Sequence, residues 1–205
     1  RDLRLSDHPA LDRAIARGGP VIPVFVLDPL TEAFGAAPLW RLGESLADLA
    51  RRLEAKGARL ILRRGEAGAA LSALAEETGA GAVIWSRLYD AGAIDRDTRV
   101  KAALKEKGLA AESVNGSLLF EPWTVETGSG GFYKVYTPFW KAVRGREPDA
   151  PLSEPARIPA PDAWPASDAL SDWRLGARMD RGAAVVARHA RVGEEAARGR
   201  LGGFV

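Results

Sequence analysis

Two arginines and two aspartates stand within the first seven residues, Arg1, Asp2, Arg4 and Asp7 in RDLRLSDHPAL. At a turn from a strand into a helix such a set could hold a polar or anionic ligand, because ligands of α/β sheets bind outside the carboxyl ends of the strands. The same charges could instead cap the following helix and pair with one another, and spacing alone does not separate the two uses. Further along, Asp28 closes the apolar run PVIPVFVLDP, and Trp85, Arg87 and Tyr89 lie together in WSRLYDAG. A carboxylate, a guanidinium and aromatic rings on one rim could line a pocket for a flat polar chromophore or a nucleotide. Ordinary loop polarity, with Trp85 in the core, accounts for them equally well.

Other chemistry is thinner. The stretch TGSGG, Thr127 to Gly131, lacks both the Gly-x-Gly-x-x-Gly spacing and a following Gly-Lys-Ser/Thr, so it reads as a flexible turn and not a phosphate cradle. His8 and His189 are far apart and neither stands beside a nucleophile, so neither a metal-ligand spacing nor a Ser-His-Asp order is present. The chain has no cysteine, which excludes disulfides, thiolate nucleophiles and cysteine-based zinc sites. FYKVYTPFW interleaves five aromatic rings with Lys134, and Lys141 follows. Such a run could stack on single-stranded nucleic acid, but because it leads into a proline-rich connector, burial against a neighbouring domain is the better reading. No catalytic constellation and no metal site is expected.

These residues must be positioned by regular elements, and the pattern supplies them. Ser6 or Asp7 can cap a short helix from Pro9 to Arg17 that stops at Gly18-Gly19. Val21 to Leu27 is β-branched and aromatic with continuous apolarity, as in a strand buried on both faces. Leu39, Leu42, Leu46, Leu49 and Leu53 recur at three and four, predicting an amphipathic helix over Pro38 to Lys56. Strand Arg59 to Leu62, helix Gly68 to Thr78, strand Ala82 to Trp85, helix Asp95 to Lys107 and strand Leu109 to Val114 follow, with glycines closing the helices. This alternation predicts an α/β, doubly wound parallel sheet covered by helices on both faces. Such sheets begin with a strand, whereas this chain begins at the turn after one. The expectation is that a first strand precedes Arg1, and that its loss leaves a gap inside the sheet, not at an edge.

At 205 residues, 46% apolar and 27% charged, the chain is long enough for one sizeable core or one domain with part of a second. A net charge of +2 gives no field that by itself implies nucleic acid, and the lack of a long apolar run or leader makes a cytoplasmic, membrane-free protein the default. Six of the thirteen prolines fall between Pro148 and Pro165, which precludes a long helix or a central strand. Trp164 and Trp173 beside them suggest a connector held to a domain surface by its aromatics. The expected division is an α/β domain over 1–146, a connector over 147–180 and the start of a helical domain over 181–205.

Taken in order, RDLRLSDHPAL, PVFVLDP, LLFEPW, TGSGGFYKVYTPFWKA and WPASDALSDW resemble the photolyase and cryptochrome family over nearly the whole chain, with RDLRLSD and YKVYTPFW the most specific. The resemblance implies a Rossmann-like amino-terminal domain that holds an antenna chromophore, a wrapping connector, and a helical domain beyond Val205 that binds FAD and damaged DNA. In a photolyase, photoexcited reduced FAD donates an electron to a cyclobutane pyrimidine dimer flipped from the duplex. The part in hand would be a non-catalytic antenna and scaffold, inactive and without FAD on its own, and poorly folded without its first strand. The antenna pocket is expected near Arg1, Val26, Leu27, Asp28, Arg41 and Tyr89. Gly92 and Ala93 follow Tyr89-Asp90 where folate-using members carry asparagine and glutamate, so deazaflavin or FMN is favoured over folate. A monomer is expected. The alternatives are a cryptochrome-type photoreceptor that signals through partners, or a stand-alone nucleotide-binding domain, which the connector and tail make the poorer choice.

Overall fold

A computed structural model describes residues 2–204. Helix α1 (Pro9–Ala16) leads into β1 (Val24–Leu27), the short α2 (Pro29–Glu32) and the long α3 (Ala36–Ala55). Then β2 (Ile61–Arg64), α4 (Ala67–Thr78), β3 (Ala82–Ser86), α5 (Ala91–Glu106) and β4 (Ala110–Val114) alternate. The later chain carries α6 (Tyr136–Val143), α7 (Arg181–Ala187) and α8 (Glu194–Gly202), separated by extended segments and single 3₁₀ turns. The architecture is the α/β class expected.

All strand pairing among the described residues is parallel, in two pairs. β1 runs beside β2 with Val24 opposite Ile61 and Leu27 opposite Arg64. β3 runs beside β4 with Ala82 opposite Ala110 and Ser86 opposite Val114. No ladder joins β1 to β3 among the described residues, and the break falls where doubly wound order seats its first strand. Side chains bridge it: Val26 of β1 packs with Val83 and Trp85 of β3 against buried Ala67, Val100 and Leu104. The larger core lies on the β1–β2 side. There the fully buried Leu46 and Leu53 of α3 meet Leu5, Leu11, Val21, Leu60 and Leu62.

Several boundaries moved from expectation for local reasons. Pro20 and Pro23 flank Val21, whose amide bonds the Pro159 carbonyl at 2.8 Å instead of a ladder partner, so β1 starts only at Val24. β2 lies two residues later than expected, set by its register on β1. The cap of α1 is neither Ser6 nor Asp7 but His8, whose Nδ1 accepts the Leu11 amide at 3.2 Å. Asp7 is drawn away to the amide of Leu152 at 3.2 Å. Helix α5 begins four residues early because the Asp90 carboxylate caps it, accepting the Ala93 amide at 2.9 Å.

The proline-rich connector is bound to the first core along its length. Ile158 is wholly buried, and its amide bonds the Lys56 carbonyl at 3.0 Å. Trp164 and Trp173 pack on the same cluster, with Trp173 tilted against Phe25 at 6.1 Å between centroids. Ser167 Oγ accepts the Leu62 amide at 2.9 Å while the Asp168 amide reaches the Leu62 carbonyl at 3.0 Å, which covers the outer edge of β2. Farther on, Glu194 at the start of α8 accepts from the Leu5 amide at 3.0 Å, from Arg52 of α3 at 2.6 Å and from Arg198 at 2.6 Å. Arg52 also bonds Glu154 of the connector at 3.1 Å. Burial alone would raise the Glu194 carboxyl, but the Leu5 amide and the Arg52 guanidinium outweigh it and hold the group below the usual carboxylate range.

Candidate functional site

The carboxyl ends of the strands carry the chain's densest buried polar chemistry. Asp28 follows β1 directly and is almost wholly buried. Its Oδ1 accepts the Thr31 amide at 2.8 Å, capping α2, and its Oδ2 accepts from Arg96 of α5 at 2.8 Å. Arg96 donates in turn to Asp97 at 3.1 Å, and the other Asp97 oxygen accepts from the Trp85 indole at 3.1 Å. Lys101 lies over the Trp85 ring at 5.8 Å and donates to Ser113 Oγ at 3.3 Å. This chain of contacts runs from the end of β1 to β3 and β4. Burial pushes Asp28 up, yet the Thr31 bonds and Arg96 prevail and the carboxyl stays ionised below its ordinary range. Burial likewise lowers Arg96, and its two carboxylate partners more than reverse that.

A second cluster forms at the end of β3. Tyr89 donates to Glu121 at 2.8 Å, and Arg87 pairs with the other Glu121 oxygen, donates to the Ser113 carbonyl at 2.6 Å and lies 5.1 Å from the Trp123 ring centroid. Burial and then the Glu121 bond push the Tyr89 phenol upward, so it is a neutral donor at physiological pH. Together these contacts pin the segment LLFEPW against the sheet edge. The opening charged segment reaches the same rim: Arg4 donates to the Gly116 carbonyl at 2.7 Å and to the Asp7 carbonyl at 2.9 Å. Gly116 has no room for a side chain, since an added Cβ would lie 2.7 Å from the Ser86 Cβ.

The expected pocket residues are therefore distributed, not gathered. Arg1 lies outside the described residues. Leu27 is a core residue, Val26 packs into the second core, and the Asp28 carboxylate already holds two partners. Tyr89 is engaged with Glu121. Arg41, on α3, instead lines an open cleft of about 790 Å³ with Arg191, Arg200, Leu201 and Phe204. Neither Arg41, Arg191 nor Arg200 has an ion pair among the described residues, and no carboxylate lines the cleft. Three uncompensated guanidiniums beside an apolar wall suit an anionic ligand with a flat apolar part. Sequence reasoning missed Arg96, Asp97 and Glu121, which carry no motif, and missed Arg191 and Arg200, whose only signal is the arginine-rich tail. The TGSGG turn closes on itself, with the Thr127 amide on the Gly131 carbonyl at 2.9 Å and the Gly130 amide on the Thr127 carbonyl at 2.9 Å.

The likeness to known proteins agrees with this frame. The family model described as DNA photolyase matches residues 1–161. The deoxyribodipyrimidine photo-lyase of Agrobacterium fabrum is 46% identical over 85% of this chain and 37% of its own length. Cryptochrome-1 of Arabidopsis thaliana is 37% identical over 77% of this chain and 24% of its own length. The crystal structure of a bacterial class III photolyase from Agrobacterium tumefaciens superposes with a TM-score of 0.81 at 46% identity, covering 85% of this chain and 36% of that one. The chain thus spans between about a quarter and two fifths of the length of these relatives. With a family match over more than three quarters of its residues and a shared parallel α/β frame, the chain belongs to the DNA photolyase family, as its amino-terminal domain.

Proposed function

We propose that the chain is the antenna and scaffold part of a light-driven DNA repair enzyme of the deoxyribodipyrimidine photolyase type. The observation that carries this reading is the 46% identity to a photolyase across 85% of the chain, against 37% to a plant cryptochrome over a shorter stretch. In this reading residues 1–146 form the α/β domain, 147–180 the connector, and 181–205 the first part of a helical domain whose remainder binds damaged DNA and FAD. Reduced FAD supplies the photochemistry there: one electron passes to the dimer, the two bonds joining the pyrimidines break, and the electron returns, so the reaction is redox-neutral. No step of it falls on residues of this chain. The whole protein is a cytoplasmic monomer in this reading.

Within the chain, Arg41 is the expected pocket residue whose charged group remains uncommitted, and Arg191 and Arg200 beside it favour an antenna with an anionic group, as FMN has. A deazaflavin would depend more on the flat apolar wall. The absorption spectrum of the full-length protein should show bands of a second chromophore beside those of FAD, and a spectrum of FAD alone would remove the antenna role. Repair is tested on the full-length protein with an oligonucleotide holding one cyclobutane pyrimidine dimer. Dimer loss under blue light, and none in the dark, is the expected result. Photoreduction of bound flavin without dimer loss would move the protein to the cryptochrome reading.

A further inference from the structure

Helix α6 is an aromatic helix with almost nothing packed on it. Of its eight residues only Val143 is buried. Tyr136 is 70% and Trp140 48% exposed, and Phe132 just before them is 75% exposed. Val135 and Phe139 are exposed as well, as are Leu119 and Trp123 in the segment leading to the helix. The rings are nonetheless ordered. Tyr136 and Trp140, one helical turn apart, stack nearly parallel at 6.5 Å and 7°, and Tyr133 meets Phe139 edge-on at 6.4 Å.

Charge around this face has one sign. From Phe132 to Arg146 there are four basic residues and no acidic one. Arg146 is committed to its own domain, over the Phe120 ring at 4.2 Å and on the Thr124 carbonyl at 2.9 Å. Lys134, Lys141 and Arg144 have no ion pair among the described residues. Preordered tyrosine and tryptophan at the centre with basic residues at the rim is the composition of a protein–protein interface. An aromatic patch of this extent on a free monomer invites association.

We infer that this face docks the remainder of the full-length polypeptide, through a surface that is apolar at its centre and carries carboxylates opposite Lys134, Lys141 and Arg144. The intramolecular occupant follows from length: the relatives extend to nearly three times the span matched here, and a tethered surface reaches an effective concentration that a diffusing partner does not. A stacking platform for single-stranded nucleic acid is the lesser reading, because Tyr136 and Trp140 have each given one ring face to the other. The inference rests on family membership and the relatives' length, not on the repair activity.

The test uses the full-length protein, unmodified. Carbodiimide coupling, which joins lysine amines to carboxylates in contact, should link Lys134 or Lys141 to Asp or Glu residues beyond position 205 within a monomer. Hydroxyl-radical oxidation of Trp140 should be at least tenfold slower than in the Trp140→Glu variant unfolded in denaturant with its remaining tryptophans as internal standard, and Phe132 should be shielded likewise. Links only between two copies, in a protein that sediments as a dimer, would replace the occupant by a second copy. Free oxidation of Trp140 that stops on adding oligothymidylate would replace it by nucleic acid. Free oxidation under all conditions would overturn the inference altogether. A protein that repairs no dimer yet gives the intramolecular links keeps this inference and loses the repair reading, and the converse result separates them the other way.

Discussion

Glu194 shows how a single side chain can organise distant parts of the chain. It sits at the first turn of α8 and holds two backbone amides of the opening segment together with Arg52 and Arg198. Both Glu194 and Arg52 are largely shielded from water, with side chains 10% and 14% exposed, so removing one charge strands the other. Glu194→Gln is expected to destabilise by about 3 kcal/mol, read as a shift of the denaturant midpoint at unchanged slope. Its folded carboxyl is lowered, so its stabilisation is complete above the unfolded glutamate value of about 4.3 and disappears as pH falls through the lower folded value. The variant should therefore show a shallower loss of stability between about pH 4.5 and the acid transition than the parent does.

At the level of elements, the connector is the clearest case of order without periodicity. A stretch with six prolines cannot build a ladder or a long helix, yet Ile158, Trp164 and Trp173 seat it on the α3 core, and Ser167 and Asp168 cover the edge of β2. Ile158→Ala should cost about 2–4 kcal/mol through lost burial and the cavity left. Hydrogen exchange over residues 152–168 should accelerate more than over α3 if the connector opens as its own unit. Equal acceleration in both would mean that connector and core unfold together. The amphipathic α3 was legible because its leucines repeat at helical spacing, and β3 and β4 fell close to their expected bounds. The caps of α1 and the start of β1 were not legible, since Leu152 and Pro159, more than a hundred residues away, decide them.

For the whole molecule, the two parallel strand pairs are held to each other by side chains in place of a shared ladder among the described residues. The polar part of that link is Asp28 with Arg96, continued through Asp97 to Trp85. Asp28→Asn should cost about 3 kcal/mol, because it leaves a buried guanidinium short of a charge and weakens the cap of α2. The double variant Asp28→Asn, Arg96→Met should recover part of that loss, with a coupling of about 1 kcal/mol or more in the double-mutant cycle. Strict additivity would show that the two groups contribute independently and that the apolar contacts of Val26 alone join the halves.

Local chemistry carried much of the reading. Glycines after helices, continuous β-branched runs and leucines at three and four are properties of neighbouring residues, so the α/β alternation and the family likeness were available from the sequence by itself. What each charged group does was not. Asp28 and Tyr89 read as pocket residues because they stand at strand ends, but the fold brings Arg96 and Glu121 to them from distant positions and commits both to internal bonds. Arg41 looked like any solvent-facing arginine on α3, and only the approach of α8 sets it beside Arg191 and Arg200. A side chain's partner depends on which elements converge, and that convergence is settled by burial of the cores, to which a polar residue's own sequence neighbours contribute little.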